Sequence, residues 1–374
     1  MNTPPSFAMS SLYVAAGGGL GAWLRYLVGR LWGASGGTAA FPYATLTVNI
    51  LGSFAMGLLA ALVVKVPPSA WEQAFVHTPP QAWVLTCLGL TLSYVWRAAR
   101  LQVVLGQGAM TQARRFGSLR LDALRVILMH NAAVNLLPMR AGELSFPWLA
   151  SRELNLPLPR AVACLLWMRV QDLIVLIALG VLLWPGVPLL WRGAALAAMV
   201  LGWWGVSWGM RRWYGHHPEP HTDPATLSNA GKVAQVLYRL RHALLEPAHH
   251  RPMAWLLTLA NWSVKLAAGA FLLSAISGSN WGTAWAGALG GELAAVVPLQ
   301  GPAGFGTYEA GVWAGMAAHL SAHSSALALA VSAALALHVC FLLCAVIAGA
   351  LAWLLGHLSS PPSTPREPPA RHAP

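Results

Sequence analysis

The chain has 374 residues, 57% of them hydrophobic and only 9% charged, with a mean hydropathy of +0.56. Soluble domains devote about a quarter of their residues to Asp, Glu, Lys and Arg, so this composition excludes a water-soluble globule and describes a polytopic membrane protein. The net charge of +12 falls mostly in loops, which reads as charge that holds those loops in the cytoplasm rather than as a nucleic-acid surface.

A crossing helix needs about 20 mostly apolar residues. Such stretches run over 12–32, 43–66, 82–105, 119–137, 161–184, 187–210, 253–276, 282–299 and, as one long run, 308–357. No basic residue precedes Arg25, so the first stretch lacks the leader of a cleavable signal peptide and is expected to stay. Two basic loops are expected in the cytoplasm. One is 106–118, with Arg114 and Arg115 and flanked by Arg97, Arg100 and Arg120; the other is 211–252, with Arg211, Arg212, Lys232, Arg239, Arg241 and Arg251.

Three full crossings between those loops would put them on opposite sides, so one segment must turn back. The stretch "HNAAVNLLPMRAGELSFPW", His130 to Trp148, is the candidate. Pro138 removes a backbone donor and clashes with the preceding turn, which predicts a helix that stops there and returns as a second half-helix over 142–150. Broken backbone at membrane depth survives only where protein buries it or a wet cavity borders it, so a cavity is expected beside Pro138, Arg140 and Glu143. The pattern recurs in "GELAAVVPLQGPAGFGTYEAGVW", with Pro298, Gly301, Gly304, Gly306 and Glu309. Interrupted helices in corresponding places of two halves point to a transport site at a repeat interface.

Further ionisable groups lie inside apolar stretches. "LLWMRVQDLIVL" places Arg169 and Asp172 three apart on one helical face, and Lys265 stands alone in "NWSVKLAAGAF". Unpaired charge at the bilayer centre costs about 2.5–3.5 kcal/mol, so Arg169 and Asp172 are expected to pair or to face the cavity. Lys265 is expected to find Glu292 or Glu309. A guanidinium such as Arg140 suits a phosphate, or equally Glu143 and free carbonyls; Glu143 and Glu309 suit capping of exposed amides, a cationic group or a proton.

Other signals are weaker. Cys87, Cys164, Cys340 and Cys344 all lie in apolar runs and read as core or lipid-facing thiols. His216, His217, His221, His249, His250, His319 and His323 lack the company of a metal motif, so no metal site and no cofactor are expected. No nucleophile, P-loop or zinc-protease motif appears, and the chain is not expected to be an enzyme. "GKVAQVLYRLRHALL", Gly231 to Leu245, reads as a basic amphipathic helix on the membrane face, and 358–374 as a disordered Pro-rich tail.

From about Phe54 the chain resembles the membrane region of the lysylphosphatidylglycerol synthetase and flippase family, through "LTLSYVWRAARL" at 91–102, "HNAAVNLLPMRAGE" at 130–143, "MRVQDLIVL" at 168–176 and "VVPLQGPAGFGTYEAG" at 296–311. That resemblance implies a lipid cavity bordered by Pro138 to Glu143, Pro298 to Glu309, Arg169 and Asp172. The family's aminoacyl-transferase domain has no counterpart after the last span, so lysine attachment is not implied. Earlier, "GGGLGAWLRYLVGRLW" at 17–32 and "FPYATLTVNILGSFAMGLL" at 41–59 are similar to the first two helices of small bacterial fluoride channels. On the matching positions Arg25 takes the place of a first-helix arginine and Asn49 that of the pore asparagine. The phenylalanine-bearing third helix of those channels has no counterpart, which implies a partial channel.

The expectation is therefore an all-α polytopic membrane protein of the bacterial inner membrane, with about seven transmembrane helices and two re-entrant hairpins in an inverted repeat. Its parts are a fluoride-channel-like helix pair over 1–53, a flippase-like domain over 54–357 and the tail. The expected function is translocation of a phospholipid headgroup, with a homo-oligomer allowed; a fluoride channel or its remnant, and a non-transporting envelope scaffold, are the alternatives.

Overall fold

The computed structural model describes residues 68–106, 115–116, 119–137, 142–184, 186–216, 243, 251–296, 302–321 and 325–359. The helix pair of 1–53 with Arg25 and Asn49, the residues Pro138, Arg140, Pro298 and Gly301, the amphipathic helix expected from Gly231, and most of the tail lie outside the described residues.

Helix α1 (Pro68–Phe75) leads into α2 (Pro80–Leu105). Proline opens α2 where its missing N–H would be unsatisfied in any case, and Gly106, with φ of 71°, ends it. A two-residue antiparallel pair, Arg115–Phe116 with Leu119–Arg120, precedes α3 (Leu121–Leu136). Then come α4 (Ser145–Glu153), α5 (Leu158–Leu183), α6 (Leu189–His216), α7 (Pro252–Ser277), α8 (Trp281–Val296), a 3-10 turn at Pro302–Gly304, α9 (Thr307–Ala317) and α10 (Ser325–Ser359).

This is an all-helical membrane protein. Among the described residues α5, α7 and Ser325–Gly356 of α10 are long and apolar enough to cross a membrane. On α5 the residues Leu166, Val170, Leu173 and Ile177 are exposed while Cys164, Met168, Asp172, Val175 and Leu179 are buried. Spacings of three and four put each set on one helical face. An apolar stripe of that kind meets acyl chains, and the opposite face carries the polar groups inward.

The long run expected over 308–357 is two helices, with the chain leaving α-helix between Ala317 and Ser325. A high average hydropathy conceals the local cluster His319, Ser321, His323 and Ser324. The helix from 121 ends at Leu136, with Leu137 extended, and α4 starts nine residues after Leu136, at Ser145.

Glycines set how closely the two interrupted pairs fold back. Gly142 lies against the peptide between Ala133 and Val134, so a methyl group there would overlap the backbone of α3. In the second pair Gly290 of α8 and Gly311 of α9 face each other, and Gly315 abuts the carbonyl of Ala286. Small residues at such spacing let membrane helices gain van der Waals contact that larger side chains forbid. Gly311→Leu is expected to force α8 and α9 apart at a cost of about 1–3 kcal/mol. A thermal unfolding midpoint in detergent should fall clearly below that of Gly193→Leu, since a Cβ at Gly193 meets nothing within 4 Å.

Candidate functional site

A cavity of about 540 Å³ lies between the helices. Its lining includes Arg97 of α2, Asn131 of α3, Arg169 and Asp172 of α5, Trp262 and Lys265 of α7, Glu292 of α8, Tyr308 of α9 and His338 of α10. Apolar helices thus turn their few polar side chains toward one another, which burial in a low-dielectric interior requires.

Asp172 is the hub. Its Oδ1 accepts from Arg100 Nη1 at 2.6 Å and from Trp262 Nε1 at 3.0 Å, and its Oδ2 accepts from Arg169 Nη1 at 3.2 Å. Arg100 also donates to Thr258 Oγ1 at 3.0 Å. Arg169 reaches further: its Nε and Nη2 donate to Glu143 Oε2 at 3.0 and 2.8 Å, and Nη2 lies 3.2 Å from His130 Nε2. A guanidinium only donates, so His130 Nε2 is the acceptor and its Nδ1 carries the proton toward Ser145 Oγ, 3.0 Å away. That chain of contacts fixes α4 to α3 and α5 directly beside the interruption.

Arg97 is different. Its Nη1 donates to Asn131 Oδ1 at 2.7 Å and its Nε to Asn261 Oδ1 at 3.3 Å, and its guanidinium lies 5.5 Å from the centre of the Trp262 ring. These partners are neutral. Because an arginine presents only donors, each asparagine must turn its oxygen toward it and its NH2 away. Both amide nitrogens are buried, and neither has a hydrogen-bond partner among the described residues. Among the described residues Arg97 thus forms its hydrogen bonds to amides and not to a carboxylate, and Arg97 and Asn131 border the cavity.

Lys265 pairs with Glu292, Nζ to Oε2 at 2.6 Å, with its ammonium over the rings of Trp262 and Phe341 at 5.1 and 5.0 Å. Glu309 sits at the second interruption. Its Oε2 accepts the amide of Gly306 at 2.7 Å and its Oε1 meets His338 Nδ1 at 2.7 Å. His338 Nε2 faces the carbonyl of Ala303 at 3.0 Å, an acceptor to which it donates. Gly304 and Gly306 adopt φ of 84° and 82° there, a conformation that costs glycine little.

Of the residues expected at the site, Glu143, Arg169, Asp172, Lys265, Glu292 and Gly304 line the cavity. Glu309 and Gly306 form the cap beside it. Arg140, Pro138 and Pro298 are outside the described residues. Sequence reading missed Arg97, Arg100, Asn131, Asn261 and Trp262. The two arginines read as flanks of the cytoplasmic loop 106–118, although their i, i+3 spacing inside an apolar helix matches that of Arg169 and Asp172.

Residues 12–136 match the family model described as CrcB-like protein, Camphor Resistance (CrcB). Among curated proteins the chain is similar to the "Fluoride-specific ion channel FluC" of Rhodospirillum centenum, 57% identical over 63 residues, 17% of this chain and 46% of the relative. Proteins of the same name match from Erythrobacter litoralis, 44% identical over 73 residues, 19% of this chain and 52% of the relative, and from Rhizobium meliloti, 53% over 68 residues, 18% and 54%. The chain spans about half the length of the curated relatives it matches. No solved structure matches.

The similarity of the first part to fluoride channels therefore stands, and it reaches past position 59 to 136. The expectation of a lipid flippase with a phospholipid partner is corrected. The relatives are named as fluoride channels, and neither they nor the family model point to the lysylphosphatidylglycerol synthetase family. Arg169 pairs with Glu143 and Asp172, and Lys265 with Glu292.

Replacing Lys265 by Met leaves the Glu292 carboxylate, whose side chain is 6% exposed, without its cation. A loss of about 3 kcal/mol is expected. Lys265→Met combined with Glu292→Gln should recover most of the lost thermal stability, which a detergent unfolding series would show.

Proposed function

We propose that the chain passes a small inorganic anion, fluoride, across a bacterial inner membrane. The observation that carries this is the similarity of residues 12–136 to proteins named as fluoride-specific channels. Both α2 and α3 lie within that segment, and they bring Arg97 and Asn131 to the cavity. A bare fluoride ion loses its hydration on entering an apolar protein, and N–H or O–H donors offset that cost. Arg97 and Asn131, which line the cavity, carry donors of this kind, and their hydrogen bonds to an ion would be charge-assisted.

In this proposal Arg25 and Asn49, which lie within the segment similar to fluoride channels, also serve the passage of the ion. The interrupted pairs α3–α4 and α8–α9 enter the membrane as re-entrant hairpins beside about seven full crossings, which leaves both basic loops in the cytoplasm. Arg100, Arg169 and Asp172 act as the scaffold that fixes the cavity wall. A second copy of the chain is compatible with this arrangement.

The test is fluoride release. Liposomes loaded with fluoride and reconstituted with the purified chain should empty measurably faster, by a fluoride electrode, than liposomes without protein. Equal rates with correctly folded, inserted protein would overturn the proposal.

A further inference from the structure

Three of the four cysteines meet at one place. The sulfurs of Cys87 on α2 and of Cys340 and Cys344 on α10 all lie within 4.8 Å of one another, and Cys87 Sγ is 3.5 Å from Cys340 Sγ. Positions four apart on a helix share a face, so α10 presents its two thiols one above the other, and α2, packed against it, supplies the third from 253 residues away in sequence. Cys340 and Cys344 are 1% and 6% exposed; Cys87 is half-buried at the edge of the same apolar cluster. All are free thiols, and none lines the charged cavity.

We propose that this trio binds one soft monovalent metal ion, Cu(I), with Ag(I) as its chemical equivalent. The donor set is sulfur alone, which selects soft ions over the oxygen-seeking Mg²⁺ and Ca²⁺. Structural zinc takes four ligands, and among the described residues the cluster offers three. With metal–sulfur bonds of about 2.3 Å, three sulfurs around a trigonal ion stand about 4 Å apart. The separations here bracket that figure, so binding needs small side-chain rotations. Thiols that become ligands release their protons to solvent, and the ion keeps its oxidation state. The site would hold α2 to α10 and stands independently of fluoride passage.

The experiment is an anaerobic Cu(I) titration of the detergent-purified chain in a phosphine reductant, against bathocuproine disulfonate as competitor. The wild-type protein is expected to retain one Cu(I) per chain, and X-ray absorption of that complex should show three sulfur neighbours. Cys340→Ser and Cys344→Ser should each weaken retention by about tenfold or more, and Cys164→Ser should leave it unchanged. Size-exclusion profiles matching the wild type establish that the variants are folded. No retention by the wild type, equal retention by the Cys340→Ser and Cys344→Ser variants, or nitrogen and oxygen neighbours in the absorption spectrum would overturn the proposal.

Discussion

Asp172→Ala is expected to remove most of the folded protein from a detergent extract. The carboxylate is 4% exposed and accepts from Arg100, Arg169 and Trp262. Its removal leaves Arg100, itself 3% exposed, as a buried cation whose remaining described side-chain bond is to Thr258. Breaking a buried pair by deleting one partner costs about 3–5 kcal/mol, and total stabilities run at about 5–15 kcal/mol, so one substitution consumes a large share. Asp172→Asn should be milder, since an amide oxygen still accepts one bond. Fluorescence-detected size exclusion after a heating series would order the variants: wild type most stable, then Asp172→Asn, then Asp172→Ala. An Asp172→Ala midpoint equal to the wild-type value would show that the hub has no structural role.

Arg97→Gln is expected to leave the protein folded and to slow fluoride release by about tenfold or more, the equivalent of one hydrogen bond to a charged group. The two effects separate because Arg97 bonds to two neutral amide oxygens, not to a carboxylate. Its loss strands no buried anion, and a glutamine NH2 can still donate to Asn131. Arg97→Lys keeps the charge but not the planar fork, and an intermediate rate is expected. Fluoride-electrode traces from matched proteoliposomes give the comparison. A normal rate for Arg97→Gln would place the ion path away from this cavity.

The sequence made part of this site legible and hid the rest for identifiable reasons. Arg169 and Asp172 were visible because two charges three residues apart in an apolar stretch have few ways to be tolerated, and they do pair. Pairing of Lys265 with Glu292 rather than Glu309 depends on the register of α7 against α8, which local spacing does not encode. In the sequence Arg97 reads as a flank of the basic loop 106–118, yet it lies eight residues before the last residue of α2, about 12 Å along the helix axis. The asparagines carry no charge and gave no signal; only the bond directions expose their unpaired donors.

At the level of fold, an all-helical membrane protein followed directly from composition, while the division of 308–357 into two helices did not, because the high average hydropathy of the run conceals the short polar cluster His319, Ser321, His323 and Ser324. The three cysteines, inert when seen one at a time, came together only through packing of α2 against α10. The functional expectation failed for a different reason. The similarity to a lipid-handling membrane region spans more of the sequence, but the shorter similarity to fluoride channels is the one known proteins share.

The most direct measurement records fluoride and chloride efflux from the same proteoliposome preparation of the wild-type chain, with an electrode for each ion. Release of fluoride with retention of chloride is the predicted result. Retention of both ions by folded, inserted protein, or release of both at the same rate, would contradict it.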